Sequence, residues 1–277
     1  MPNAVARDQM TPEMGYVMRN VRSYKGKLET SPGVSSYISA TVSGRPRRII
    51  GWEMNDGAKR LNVLTNTKIY RINESSGALT DITRATGGDY TGSTVEWWDV
   101  VAFNNVMIAV NNRDAPQKWD GSAANCVALG GSPPNGRTIA GFLTYLLIGG
   151  ATANPQRVSW SDSGAHETWT GGDANNLTLY QGPGPLIRLL PLGEVCMAYR
   201  TKSIHMLFYV GPPFIIAQRQ LTTEHGLIAP MAVASLGDRH VYWGTDNVYV
   251  TDGVTRTPIA NDLIDEMMTS FDAAAQD

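Results

Sequence analysis

The sequence predicts an all-β fold, a β-propeller-like array of small antiparallel sheets with a short C-terminal helix. Three observations carry that prediction. Short β-branched and aromatic runs bounded by Gly, Asn, Asp and Pro dominate the chain, which is how strands separated by turns read in sequence. These runs recur in similar packets at an even spacing. The chain also holds 28 Gly and 15 Pro in 277 residues, more than the roughly 12 % of average usage, as many turns require. A hydrophobic content of 42 % suffices for a buried core and excludes wholesale disorder.

The packets follow one another as residues 60–83, 100–129, 138–169, 187–210 and 231–259. Each has an apolar strand, a polar turn and a second strand, and most continue through a Gly-containing turn into a third. The turn anchors are Asn66-Thr67, Asn111-Asn112, Asn154-Pro155, Thr201-Lys202 and Thr245-Asp246, giving spacings of 45, 43, 47 and 44 residues. A period near 45 with three or four strands per unit is the signature of propeller blades. Each unit is a sheet that cannot bury both faces alone, so neighbours must stack around an axis. Asp120-Gly121 and Asp252-Gly253 fit tight hairpins in which Gly supplies the positive φ. A β-sandwich of loosely similar hairpins is the competing reading. Residues 261–274 form the one good helix candidate, with Leu263, Ile264, Met267, Met268 and Phe271 on one face behind an Asn261 cap. The expected layout is an extended N-terminal docking arm over 1–50, blades over 51–260, and a helix and tail over 261–277.

Charge is distributed unevenly. Residues 1–60 carry ten Lys/Arg against five Asp/Glu, and the remainder carries thirteen against twenty. With a net charge of −2 the chain as a whole is no nucleic-acid polycation. Arg45, Arg47 and Arg48 are the densest basic cluster, a candidate interface whose alternative is a solvated loop. No apolar run approaches the roughly 18 residues of a membrane helix, so membrane insertion is not expected, and the N-terminus lacks the apolar stretch of a signal peptide. Cys126 and Cys196, each in an apolar strand-like segment, read as buried reduced thiols.

Motifs for chemistry are sparse. The sequence contains no G-x-S-x-G, S-x-x-K or P-loop, and none of His166, His205, His225 and His240 has zinc-site spacing. His205 reads as a strand residue and His225 as a turn residue. Asp120, Asp162 and Asp252 are explained as turn formers. Ser161 to Trp169 is similar to the Asp-box turn of sialidase-type propellers, in which Asp and Thr tie a hairpin and Trp packs between sheets. A glycosidase would also need a carboxylate pair, and no two carboxylates stand out as one. Trp97, Trp98, Trp119, Trp160, Trp169 and Trp243 read as packing residues rather than stacking platforms. No catalytic residue, cofactor or metal is expected.

Several segments resemble one family. Arg19 to Tyr37 resembles the opening of hub proteins in short-tailed bacteriophages. LNVLTNTKIYRIN followed by ALTDIT resembles their first blade, and RVSWSDSGAHETWT a later hairpin. Met206 to Pro230, with GPPF and HGLIAP, resembles their most distinctive segment, and VYWGTDNVYVTDGVTRTPI their closing blade. These segments occur in family order over roughly 19–265. The resemblance implies a virion tail protein of the podovirus type, a tail hub or nozzle made in the host bacterial cytoplasm. Such a protein is expected to form a homo-hexameric ring below the portal and adaptor, to contact other tail proteins such as fibres or needle, and to let genomic DNA pass non-specifically. Family chains are usually longer, so this one is expected to supply most of a hub propeller. Pro212, Pro213 and Phe214 are candidates for a stiff interface wedge, because two prolines fix φ. A carbohydrate-binding or sialidase-like propeller is the alternative function.

Overall fold

A computed structural model describes residues 21–24, 27–30, 36–38, 40–93, 96–261 and 264. Apart from residues 261 and 264, the predicted helix and tail over 261–277 lie outside the described residues, as does most of the proposed arm. A two-stranded ribbon, β1 (Val21–Tyr24) with β2 (Lys27–Thr30), precedes five four-stranded antiparallel sheets. The five sheets form a five-bladed β-propeller, which resolves the choice against a sandwich.

Each blade is a meander of consecutive strands. Blade 1 is β3 (Pro46–Glu53), β4 (Lys59–Thr65), β5 (Ile69–Ile72) and β6 (Leu79–Asp81). Blade 2 is β7 (Asp99–Phe103), β8 (Val106–Val110), β9 (Gln117–Trp119) and β10 (Val127–Ala128). Blade 3 is β11 (Thr138–Phe142), β12 (Tyr145–Ala151), β13 (Asn154–Trp160) and β14 (Asn175–Thr178). Blade 4 is β15 (Leu186–Leu192), β16 (Val195–Arg200), β17 (Ile204–Gly211) and β18 (Ile215–Thr222). Blade 5 is β19 (Val233–Ser235), β20 (His240–Trp243), β21 (Val248–Thr251) and β22 (Arg256–Pro258). The first strands β3, β7, β11 and β15 lie side by side along the axis. Because β3 starts at Pro46, the boundary drawn at residue 50 falls inside the first strand of blade 1.

The predicted turn anchors mark the same feature in every blade, the connection between second and third strands. Four coincide with that turn. In blade 3 the turn is 152–153 and Asn154 already pairs with Ala151. Gly150, at φ +72°, sits at an irregularity in the register there, and that extra residue shortens the hairpin relative to the sequence signal.

Apolar clusters join successive blades. Trp52, Leu64, Trp98, Met107 and Trp119 fill the space between blades 1 and 2. Ile108, Val110, Ile139, Leu146 and Ile148 join blades 2 and 3. Leu147, Val158, Trp160, Leu189 and Leu207 join blades 3 and 4, and Ile187, Met197, Tyr199, Tyr242 and Tyr249 join blades 4 and 5. Each fully buried aliphatic side chain contributes about 1.5–3 kcal/mol, so these seams hold the ring. Among the described residues the remaining face of blade 1 is covered differently: Val63, Tyr70 and Ile72 pack under Ile38 and Val42.

Candidate functional site

A meander blade turns at one rim after its first and third strands, and at the other rim after its second and fourth. The ten turns on the first rim carry nine carboxylates, among them Asp56, Glu74, Glu194 and Asp238, against a single arginine, Arg239. The turns and connections between blade strands on the second rim carry five of each sign. The acidic excess expected of the body of the chain is therefore concentrated on one rim.

Of the eleven large exposed apolar side chains among the described residues, seven lie on that same rim, while Tyr180 and Ile259 lie on the second and Ile49 and Val127 within strands. Leu143, Leu236 and Val254 occupy its turns, and Tyr37 joins them through a 2.5 Å hydrogen bond from its hydroxyl to Glu74 O. Three of the seven belong to the β17–β18 hairpin, where Tyr209, Val210 and Phe214 are exposed, Phe214 by 73 %. Pro212, Pro213 and Phe214 form its tip, between the paired residues Gly211 and Ile215. Ile215 sits at φ +60°, a region a β-branched residue rarely adopts. Its side chain is buried with Ile216 in the seam between blades 3 and 4, so burial of the isoleucines holds the tip in place and turns Phe214 outward. Tyr209 also stacks on Tyr145 of blade 3, with ring centroids 6.2 Å apart.

The three arginines do not act as one patch. Arg45 is exposed, and its backbone is fixed by Asn66, whose Oδ1 accepts from Arg45 N at 2.8 Å. Arg47 reaches Ser93 O at 3.4 Å. Arg48, on the strand face shared with Ile50 and Trp52, is half-buried and turns towards the axis. The solvated-loop alternative fits Arg45 alone.

At the axis a polar cluster draws on blades 1 to 4 and meets the connection into blade 5. Asp99, the first residue of β7, is buried and pairs with Arg188 of β15. Blades 2 and 4 are not neighbours, so this pair bridges the inside of the ring. Asp99 Oδ2 also accepts from Thr138 Oγ1 of blade 3 at 2.7 Å and from Ile139 N at 3.0 Å, while Oδ1 accepts from Val100 N at 3.0 Å. Arg48 Nη1 lies 3.0 Å from Met231 Sδ, just ahead of β19. Burial pushes the Arg48 pKa down, and the like charge of Arg188 adds to that against the opposing pull of Asp99. Sequence reading missed Asp99 and Arg188, whose only signal is a charged residue within an apolar first strand.

Two histidines, His205 and His240, are buried and hydrogen-bonded. His205 is fully buried: its Nδ1 meets Gln218 Oε1 at 2.9 Å, and Arg200 Nη1 lies 3.3 Å from Nε2. An arginine donor requires Nε2 to accept, so the ring is neutral with its proton on Nδ1. Arg200 itself ties down the connection into blade 4, donating to Leu179 O, Gln181 O and Gly184 O at 2.7–3.1 Å. His240 donates from Nε2 to Pro191 O at 3.0 Å and meets Tyr199 Oη at 2.9 Å. Burial lowers the pKa of both rings.

His225, read as a turn residue, meets Asp246 at 2.8 Å and lies 3.6 Å from Glu224. Asp246 also accepts from Tyr249 Oη at 2.7 Å. The group clasps the connection into blade 5 to the β20–β21 turn, beside a cleft of about 450 Å³ lined by Thr222, Thr223, Glu224 and Arg256. Sequence spacing hid this pairing because 21 residues separate the partners.

The similarity to an Asp-box holds as a hairpin tie. Asp162 N donates to Thr168 O at 2.8 Å, Asp162 Oδ1 accepts from Asp173 N at 2.8 Å, and Trp169 packs against the seam between blades 2 and 3. Both cysteines are free and buried, and burial pushes each thiol up to about 12. Among the described residues no three His, Cys, Asp or Glu side chains are grouped to hold a metal ion. None of the described helical residues forms a helix long and apolar enough to cross a membrane.

Neither the family models nor the curated proteins compared with this chain match it. Solved structures do. The extracellular domain of the hybrid two component system BT4673 from B. thetaiotaomicron aligns at TM-score 0.56 and 10 % identity, over 86 % of this chain and 32 % of its own. That of the hybrid two component system BT3049 from the same organism aligns at TM-score 0.50 and 6 % identity, over 79 % and 30 %. The chain spans about a third of the length of these structures. At such identities the likeness concerns the fold alone.

Proposed function

We propose that this chain is a structural subunit of a short-tailed bacteriophage virion, a tail hub or nozzle protein that assembles into a homo-hexameric ring below the portal and adaptor. One observation carries the reading: the GPPF tip of the β17–β18 hairpin projects from a rim that is both acidic and set with exposed apolar side chains. Clustered exposed apolar groups of this kind are suited to protein docking. Carboxylates around them suit a path for DNA, because each Lys or Arg contact to phosphate releases counterions and so acts as a brake on sliding. The family-ordered segments of the sequence support the same reading, as does an arrangement in which each histidine is engaged in packing or hydrogen bonding.

In this proposal the acidic rim faces the interior of the assembly. Its apolar anchors seat against neighbouring subunits or the adaptor, and genomic DNA passes the carboxylates without sequence recognition. The role is geometric, and no side chain is assigned to catalysis. Negative-stain imaging of the purified protein and of its parent particles tests it. A six-fold ring, or density for the chain in a tail, is expected. A monomer that binds or cleaves glycans would overturn the proposal in favour of the carbohydrate-binding alternative.

A further inference from the structure

The charges of the axial cluster do not balance. Arg48 and Arg188 bring two guanidinium groups, and Asp99 is the carboxylate that meets them. Its capacity is taken up: Val100 N and Arg188 Nη1 use one oxygen, and Thr138 Oγ1 and Ile139 N the other. Arg48 spends Nη1 on the sulfur of Met231, a weak acceptor. Among the described residues it makes no ion pair. The Nε atoms of both arginines are shielded from solvent without a hydrogen-bond partner, and Arg188 is only 8 % exposed. A half-buried guanidinium beside a second one is costly unless an anion accompanies it.

Position supports the same conclusion. Asp99 and Thr138 open their strands, Pro46 and Arg48 begin β3, and Met231 precedes β19. All five first strands start at the second rim, so the cluster lies at that end of the propeller axis, away from the acidic rim. Carboxylates on that far rim would repel an anion, whereas the evenly charged second rim admits one.

The geometry points to a binding site for a small oxyanion, of the carboxylate or phosphate class, held between Arg48 and Arg188 where the first strands begin beside the propeller axis. The Nη2 groups of both arginines, neither occluded nor bonded within the protein, supply charge-assisted donors for it, and Asp99 orients Arg188. The site is independent of any role in a virion.

Calorimetric titration and thermal unfolding of the full chain test this, using inorganic phosphate and sodium acetate against sodium chloride at matched ionic strength. At least one of the two oxyanions is expected to bind with a 1:1 stoichiometry and to raise Tm beyond chloride. A response to phosphate alone assigns a tetrahedral ligand, and a response to acetate alone a carboxylate. Arg48→Gln removes the uncompensated charge. It is expected to raise Tm in chloride and to weaken oxyanion binding about tenfold or more. Arg45→Gln, on the exposed residue three positions away, is expected to leave binding unchanged. The inference is overturned if neither oxyanion stabilises the protein beyond chloride, or if Arg48→Gln responds as the native protein does.

Discussion

Replacing Asp99 with asparagine isolates the bridge across the ring. The native carboxylate accepts from Arg188 Nη1 and Val100 N on one oxygen, and from Thr138 Oγ1 and Ile139 N on the other. An asparagine amide of the same shape has one acceptor oxygen and one NH2. Whichever way it turns, the NH2 faces donors. Directed at Arg188 it leaves a buried guanidinium without its anion; directed at Thr138 and Ile139 it loses two accepted bonds. Removing one partner of a buried ion pair costs about 3–5 kcal/mol, and Arg48 adds to the strain because the opposing charge of Asp99 disappears. With a urea m-value of about 3 kcal/mol/M, the midpoint should fall by roughly 1–1.7 M. Unfolding followed by the fluorescence of the buried Trp98, Trp119 and Trp160 measures it. Asp99→Asn combined with Arg188→Gln should recover part of the loss, because the orphaned charge is then gone, with a coupling of about 0.5–3 kcal/mol. A single variant that unfolds within about 0.2 M of the native protein, well short of the roughly 1–1.7 M expected, would refute the bridge. So would a double variant whose loss is the plain sum of the two singles.

Three further expectations follow from the same geometry. His205 and His240 have folded-state pKa values lowered by burial, so the unfolded chain binds protons more readily; stability is fully present above the unfolded value of about 6.5 and is lost as pH falls below it. A Tm series from pH 8 to 5 at constant ionic strength should decline below about pH 6.5, and a flat profile down to pH 5 would contradict the assigned neutral rings. A Cβ at Gly226 would collide with the backbone of Thr201 and Lys202, so Gly226→Ala should destabilise by about 1–3 kcal/mol through overpacking, read as a lower urea midpoint; an unchanged midpoint would mean the close approach is not needed. Phe214→Ser should leave Tm within about 2 °C, since exposed substitutions usually stay within ±0.5 kcal/mol, yet abolish ring formation seen by light scattering; rings of normal size would remove the hairpin tip from the interface.

The resemblance to phage hub proteins and the placement of its segments meet at particular residues. GPPF is legible as a stiff turn because proline fixes φ wherever it stands, and its location on the outermost hairpin of blade 4 follows from the strand count. Its outward projection did not follow from sequence. It depends on Ile215 being held at φ +60° with its side chain in the seam between blades 3 and 4. The arginine cluster teaches the converse. Three neighbouring basic residues read as one patch, but strand pleating sends successive side chains to opposite faces, so Arg48 enters the axis while Arg45 stays in solvent.

What the sequence determined by itself was the repeat: strands, turns and a period near 45 depend on alternation, Gly φ and Asn or Asp turn chemistry, all of which are local. Those signals located the second turn in four of the five blades and the Asp-Gly starts of two further turns, whose glycines sit at φ +86° and +89°. The turn at Asp120 runs over seven residues rather than forming a tight hairpin. Only the tertiary structure decided which charges meet. Asp99 and Arg188 stand 89 residues apart, and Arg48 and Met231 183, separations that no local rule relates. Closing five sheets around one axis brings the starts of their first strands together, and with them two arginines and a single carboxylate. The acidic rim has the same origin, since the turns that carry it are scattered along the chain and share a face only because every blade folds in the same sense.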